Sequence, residues 1–260
     1  MADSSAVQNK DKDEVSALAR GLALVRAVAN ASQPLSNREL VEATGIPKAT
    51  ISRLAATLVA SGYLRQAADS ERFSLGAALL ELGNAYLRNF DFRNQARLHL
   101  AQLADLAGAN VNLGVRDGLD VLLIDTLKPR SALILSRMDV GSRMALATSA
   151  AGRAYMACLP HEERTALVAE LMAVSADPVA LQARLEEAFR EYARLGFCTS
   201  FGEWHPDIHA LGFTLRGPRG ELYAVSCGGP AFKLPREMLL ETVGPKLLET
   251  QRAVAREMGT

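Results

Sequence analysis

Between Val15 and Asn30 apolar residues return at helical spacing, with Leu18, Leu22, Val25 and Val28 on one side. Gln33-Pro34 interrupts that pattern. Ser36 then stands as an N-cap, and Glu39 three residues later completes a capping box. Thr44-Gly45 stops the short helix that follows, and Ile46-Pro47 starts another with Pro47 at its first position. From Pro47 to Ser61, Ile51, Leu54, Ala55 and Leu58 form one apolar face, while Ala49, Ser52, Arg53 and Ala56 form the opposite one. Beyond Gly62, Tyr63-Leu64 and Phe73-Ser74-Leu75 are joined by a polar segment, which predicts a β-hairpin. Three helices followed by a hairpin is the order of a winged helix-turn-helix.

Helical spacing resumes from Gly76 to Arg88 and, after a break near Phe90, through Leu98, Leu100, Leu103 and Leu106. The period then changes. Val111, Leu113 and Val115 alternate, Asp117-Gly118 is a hairpin turn, and Val121 to Ile124 is a second strand. Leu133-Ile134-Leu135 reads as a third strand. Thr148 to Leu159, Glu162 to Met172 and Pro178 to Leu195 read as helices. Residues 196–228 return to strands, and Leu234 to Met258 closes the chain as a helix. The fold class expected is α+β with a largely antiparallel sheet.

Composition changes this picture little. The 260 residues are 49% hydrophobic, enough for a sizeable core, and suggest about two domains. Residues 1–14 are polar and read as a disordered tail rather than a secretory signal. No apolar stretch approaches the ~20 residues of a membrane span. Cys158, Cys198 and Cys227 are too few and too scattered for a disulfide framework, which fits a cytoplasmic protein. Charge matters more. Lys and Arg total 29 against 29 Asp and Glu, which excludes a generic polyanion binder. From Leu18 to Leu75, however, seven basic residues face four acidic ones, and no acid lies between Thr44 and Ala68.

Several blocks carry a family resemblance. They are Ser16-Ala17-Leu18-Ala19-Arg20-Gly21-Leu22, then Pro34-Leu35-Ser36, then Ala43 to Leu54, then Phe73-Ser74-Leu75-Gly76 with Leu80-Glu81-Leu82-Gly83. Gly141-Ser142-Arg143, Thr148 to Ala154 and Ser226-Cys227-Gly228-Gly229-Pro230 follow in order. From about Val15 to Met258 the chain resembles the IclR family of bacterial transcriptional regulators. That resemblance implies a winged helix-turn-helix DNA-binding domain over 15–76, a linker helix over 77–91 and a GAF-like effector-binding and oligomerisation domain over 92–260. It further implies a dimer or dimer of dimers, a palindromic double-stranded DNA operator, a small organic acid as effector, and neither enzymatic activity nor a cofactor.

A recognition helix must bring side chains to base edges in the major groove. Ala49 is small enough for close approach, Arg53 suits a bidentate guanine contact, and Lys48, Thr50 and Ser52 reach phosphates or bases. Ser36 brings a helix N-terminus, Arg65 and Arg72 lie on the wing, and Arg20 matches a position the family uses near DNA. The plainer alternative is that this face is merely solvated. For the effector, the resemblance places a pocket between the sheet and the helix near Thr148. Met144 and Leu146 would line its floor, with Ser149, Ala150 and Ala151 at the helix N-terminus. Ser200, Ala210, Ser226 and Gly228 hold the matching strand positions. Ala210 and Gly228 replace Cys and Ser found in some members, which suits a larger or aromatic acid.

Glu203, His205, Asp207 and His209 alternate and would share one face of a strand. Two imidazoles with carboxylates are ingredients of a metal site, so a metal-dependent enzyme using His205, His209 and Glu203 is the rival reading. Pro206 argues instead for a polar loop leading into a strand at Ile208, with no metal bound. A third reading keeps His209 alone as an effector-facing donor. Trp204 either shields a pocket mouth or stands alone on the surface. His99 and His161 read as surface residues and Cys227 as core.

Overall fold

The structure, a computed structural model, describes residues 15–130 and 138–259. Two compact units divide between Asn89 and Phe90. In the first, α1 (Ser16–Asn30), α2 (Asn37–Thr44) and α3 (Lys48–Ala60) precede a hairpin of β1 (Leu64–Gln66) and β2 (Phe73–Leu75), then α4 (Ala78–Leu87). Leu24, Val28, Leu40, Ile46, Ile51, Ala55, Leu64 and Phe73 form its core. Leu35 and Phe73 exchange both backbone hydrogen bonds, at 3.0 and 2.7 Å, and so tie the hairpin to the segment entering α2. Gly45 ends α2 in the left-handed region at φ 67°, which a residue without Cβ adopts freely. Pro47 is the N-cap of α3 rather than its first helical residue, since its carbonyl accepts from Thr50 and Ile51.

The face expected for α1 is only half right. Gly21, Leu24 and Val28 are buried, whereas Leu18 and Leu22 are 63% and 51% exposed. The helix carries two apolar stripes, and periodicity alone does not say which one the core takes. None of α4 is buried.

In the second unit α5 (Asp91–Ala107) leads into β3 (Asn110–Asp117), β4 (Asp120–Leu127) and β5 (Arg143–Ala145). Then come α6 (Ala150–Ala157), α7 (His161–Ala173), α8 (Pro178–Leu195), β6 (Cys198–Phe201), β7 (Ile208–Arg216) and β8 (Leu222–Pro230). The chain closes with α9 (Arg236–Met238), a π-helical turn over Leu239–Val243, and α10 (Gly244–Met258). The strand expected at Leu133–Leu135 lies outside the described residues. The single closing helix expected from Leu234 is instead interrupted. There the Gly244 N–H bonds Leu239 O, five residues back, and Pro245 has no N–H to continue a regular ladder.

The strands form one sheet in the order β5-β4-β3-β8-β7-β6, with every neighbouring pair antiparallel. Adjacent β8 residues show that both faces are covered. Tyr223 stacks on Phe92 of α5 with centroids 4.4 Å apart, while Ala224 joins the cluster of Ala151 and Met156 on α6. On the α6 face two glycines set the spacing. A Cβ at Gly212 would overlap the Ala150 carbonyl and the Ala151 nitrogen, and one at Gly152 would overlap the Leu146 backbone. The helix therefore lies directly on β7.

Gly212→Ala should destabilise the protein by about 1–3 kcal/mol, because backbone must move to admit the methyl group. Gly83→Ala, in open space on α4, should be neutral or stabilising by up to about 1 kcal/mol. Urea unfolding followed by circular dichroism checks both, and equal effects would contradict the packing described.

Candidate nucleic-acid interface and ligand cavity

The outward face of α3 carries Lys48, Ala49, Ser52 and Arg53, all exposed, with Thr50 half-buried at its edge. Arg20 on α1 and Arg65 on β1 are exposed as well. Among the described residues, Arg20, Lys48, Arg53 and Arg65 form no salt bridge, so their charge is directed to solvent. The local acids are engaged elsewhere. Arg38 takes Glu42 at 2.8 Å, and Arg72 takes Glu39 at 2.9 Å while donating to the Pro34 carbonyl at 2.7 Å.

Arg72, read from sequence as a wing cation, is thus spent inside its own unit, because β2 passes beside the start of α2. Ser36 is likewise engaged. Its hydroxyl accepts from the Glu39 N–H and donates to the Glu39 carboxylate, which in turn accepts from the Ser36 N–H at 2.7 Å. The Ser36 hydroxyl, then its N–H, then Arg72 hold the Glu39 carboxyl below its ordinary pKa. A carboxylate therefore already sits on the N-terminus of α2. The first turn of α3 has no acidic residue and no side-chain cap.

The second unit encloses a cavity of about 410 Å³ between the sheet and α6. Register builds its floor. Ser200, Ala210, Gly228 and Asn110 lie side by side across β6, β7, β8 and β3, and Gly212, Ser226 and Asn112 form the next row. Small residues in the middle of both rows leave the space. Met144 enters from β5, Ser149 and Ala150 from the start of α6, and Met138, Trp204, His205, Ile208, Gly229 and Pro230 complete the wall. Ser149 caps α6, accepting from the Gly152 N–H at 3.1 Å and donating to the Ala145 carbonyl at 2.7 Å.

Seven of the ten expected effector residues line this cavity: Met144, Ser149, Ala150, Ser200, Ala210, Ser226 and Gly228. Three do not. Leu146 and Ala151 are fully buried in the cluster with Val121 and Met156, because they face the protein interior beneath α6. His209 points away because alternation along β7 gives the cavity face to Ile208 and Ala210. Its ring meets Phe201 edge-on at 5.1 Å, and its Nδ1 lies 2.9 Å from the Leu234 carbonyl. Asn110, Asn112 and Ile208 were missed. Two asparagines alternating with Val111 and Leu113 were the available signal, since a buried strand with one polar face needs something for that face to meet.

The metal reading fails on geometry. Residues 203–207 form a turn, and β7 starts at Ile208. Glu203 accepts from Arg153 at 3.4 Å and from the Phe201 N–H, His205 Nδ1 accepts from the Asp207 N–H at 3.3 Å, and His209 is occupied as described. Among the described residues no three His, Cys, Asp or Glu side chains gather into a metal-holding group. Trp204 is half-buried at the cavity wall, its N–H donating to Ser200 Oγ at 3.3 Å. His161 is exposed, but His99 is not isolated, since its Nε2 lies 2.6 Å from Glu257 of α10. Cys227 is buried, and burial pushes its thiol up to about 12.

An open cationic helix on a winged helix-turn-helix, with a second unit that carries a cavity, fits the class of DNA-binding transcriptional regulators. Comparison with known proteins agrees. The sequence model described as the IclR helix-turn-helix domain matches residues 17–68, and that described as bacterial transcriptional regulator IclR C-terminal matches residues 84–256. The chain belongs to the IclR family, whose members are transcriptional regulators rather than enzymes. It is 32% identical over 248 residues to the HTH-type transcriptional regulator TsaQ1/TsaQ2 of Comamonas testosteroni, covering 94% of this chain and 88% of that one. A crystal structure of an IclR family regulator from Brucella abortus superposes with TM-score 0.80 at 36% identity, covering 96% and 95% of the two chains. An IclR homologue from Microbacterium hydrocarbonoxydans, solved with 4-hydroxybenzoate, shares the fold at TM-score 0.72 and 20% identity, covering 93% and 97%.

The Glu39 network has a pH signature. A carboxyl whose pKa is lowered by folding stabilises the fold above its unfolded pKa, and that contribution is lost as pH falls through the folded value. Thermal midpoints measured from neutral pH down to about pH 3 should fall less steeply for Glu39→Gln than for the parent protein. Parallel profiles would show that the box and the Arg72 pair contribute nothing.

Proposed function

We propose that this chain is a ligand-responsive transcriptional regulator that binds a palindromic promoter site as a dimer under the control of a small organic acid. The cavity over the start of α6 carries this reading. Its wall is mostly apolar, which suits a carbon skeleton. Among the described residues no Lys or Arg lines it, and the α6 N-terminus contributes positive potential there. The first N–H of α6, at Ala150, has no acceptor within the helix, and Ala150 lines the cavity, where a carboxylate would meet it. A volume of about 410 Å³ admits a ring, and Trp204 offers one an aromatic wall. The 4-hydroxybenzoate held by the Microbacterium homologue is an acid of this size.

On the DNA side, Arg53 reads a guanine edge, Lys48, Thr50 and Ser52 contact phosphates or bases, and Ala49 permits close approach. Arg20 and Arg65 add backbone contacts. Self-association is supported by the apolar surface left over within the first unit. Leu18 and Leu22 on α1 and Leu80 and Leu82 on α4, the latter two 68% and 54% exposed, present leucines that a second copy would cover. A two-fold dimer presents two α3 helices to two half-sites, hence a palindrome. Among the described residues no helix is long and apolar enough to cross a membrane, and we place the protein in the cytoplasm with its DNA.

Fluorescence anisotropy with the DNA upstream of the protein's own gene tests the reading. Parent protein should bind, and a panel of organic acids should contain one that shifts that affinity by about 5–150-fold. Arg53→Ala should lose tenfold or more while remaining dimeric by sedimentation, and Arg72→Ala should lose far less. Failure of the parent to bind, or undiminished binding by Arg53→Ala, would sink the assignment.

A further inference from the structure

Two polar atoms in the cavity wall lack a partner among the described residues. Asn110 and Asn112 are 5% and 8% exposed, and the Oδ1 of each accepts no hydrogen bond from them. Both stand on the cavity face of β3, two residues apart, beside Gly228 and Ser226 respectively. The Asn112 Nδ2 donates to Ser226 Oγ at 3.1 Å, which orients the amide so that its oxygen is the atom left over. A buried acceptor without a partner costs free energy that a ligand able to satisfy it recovers. Such acceptors repel the oxygens of a carboxylate and require a donor. Ser226, its oxygen already accepting from Asn112, keeps its own proton to donate to the same ligand group.

We propose that Asn110 and Asn112 make the cavity selective for hydroxylated acids, accepting a hydroxyl proton at a place separate from the α6 N–H groups that take the carboxylate. The inference rests on the cavity being the effector site. It adds what the walls alone do not specify: an acid lacking the hydroxyl leaves both amide oxygens unmet and binds poorly even when its skeleton fits. Asn110 and Asn112 are thus specificity-determining residues, whereas the α6 terminus supplies affinity common to acids.

Calorimetric titration of the full-length protein with matched acids tests this. Benzoate is compared with 3- and 4-hydroxybenzoate, and propionate with lactate and 3-hydroxypropionate. At least one hydroxylated acid should bind about tenfold or more tighter than its parent compound. In Asn110→Leu and Asn112→Leu that advantage should shrink towards unity, while affinity for the unhydroxylated parent holds or improves. Merely structural asparagines would lower both affinities together and leave their ratio unchanged, which overturns the proposal. Equal binding of every parent and its hydroxylated partners by the unaltered protein overturns it without any variant, should the leucine substitutions unfold the domain. Binding of none of these acids overturns the acid-effector reading itself, and the selectivity with it.

Discussion

The close approach of α6 to Gly212 is the contact on which the second unit turns. A helix normally rides on a sheet at the distance its side chains impose, but here backbone meets backbone, because neither Gly212 nor Gly152 carries a Cβ. That brings the first turn of α6 close over β7, so that Ser149 and Ala150 line the cavity together with Met144 of β5 and Trp204 and His205 of the turn. Arg153 fastens the arrangement from within: it is 5% exposed and donates to the carbonyls of Ala147 and Thr199 and to Glu203, joining the approach to α6 to β6 and to the turn carrying Trp204. The cavity is a by-product of this packing, kept open because Ala210 and Gly228 are too small to fill it.

How much of this the sequence revealed depended on how local the signal was. The capping box, the Gly45 stop and the apolar face of α3 are decided within a few residues by rules of backbone hydrogen bonding, so the helix-turn-helix was legible residue by residue. The face of α1 was not, since two apolar stripes compete and the choice depends on Leu40, Ile51 and Phe73 far along the chain. β5 escaped notice because three residues at a sheet edge show no periodicity. The strand start at Ile208 was legible from Pro206, but the face of His209 was not: alternation along β7 gives the cavity to residues 208 and 210 and turns 209 to the other side.

Charge is a similar lesson in scale. A chain with equal numbers of acids and bases resembles a poor DNA binder on average. Between Leu18 and Leu75, however, two of the four acids are closed into pairs with Arg38 and Arg72, which subtract nothing from the exposed face of α3. What remains is a small, localised positive field. Such a field gives weak non-specific attraction and leaves discrimination to base contacts.

The helix termini divide the work between the units. An α-helix N-terminus attracts anions by its unpaired N–H groups and its dipole, but only where the protein has not already supplied an anion. At α2 the Glu39 carboxylate and Ser36 fill that role themselves, and through Arg72 they tie this helix end to the wing. At α3 no acid or side-chain cap intervenes, and the terminus lies open on the cationic face. At α6 Ser149 takes the Gly152 N–H and no acidic residue occupies the first turn, so the preceding N–H groups have no acceptor within the helix. One element of backbone chemistry is therefore satisfied within the protein at α2 and left without a side-chain anion at α3 and α6. The choice between these states is made by a single position, three residues into each helix: Glu39 in one and Gly152 in the other.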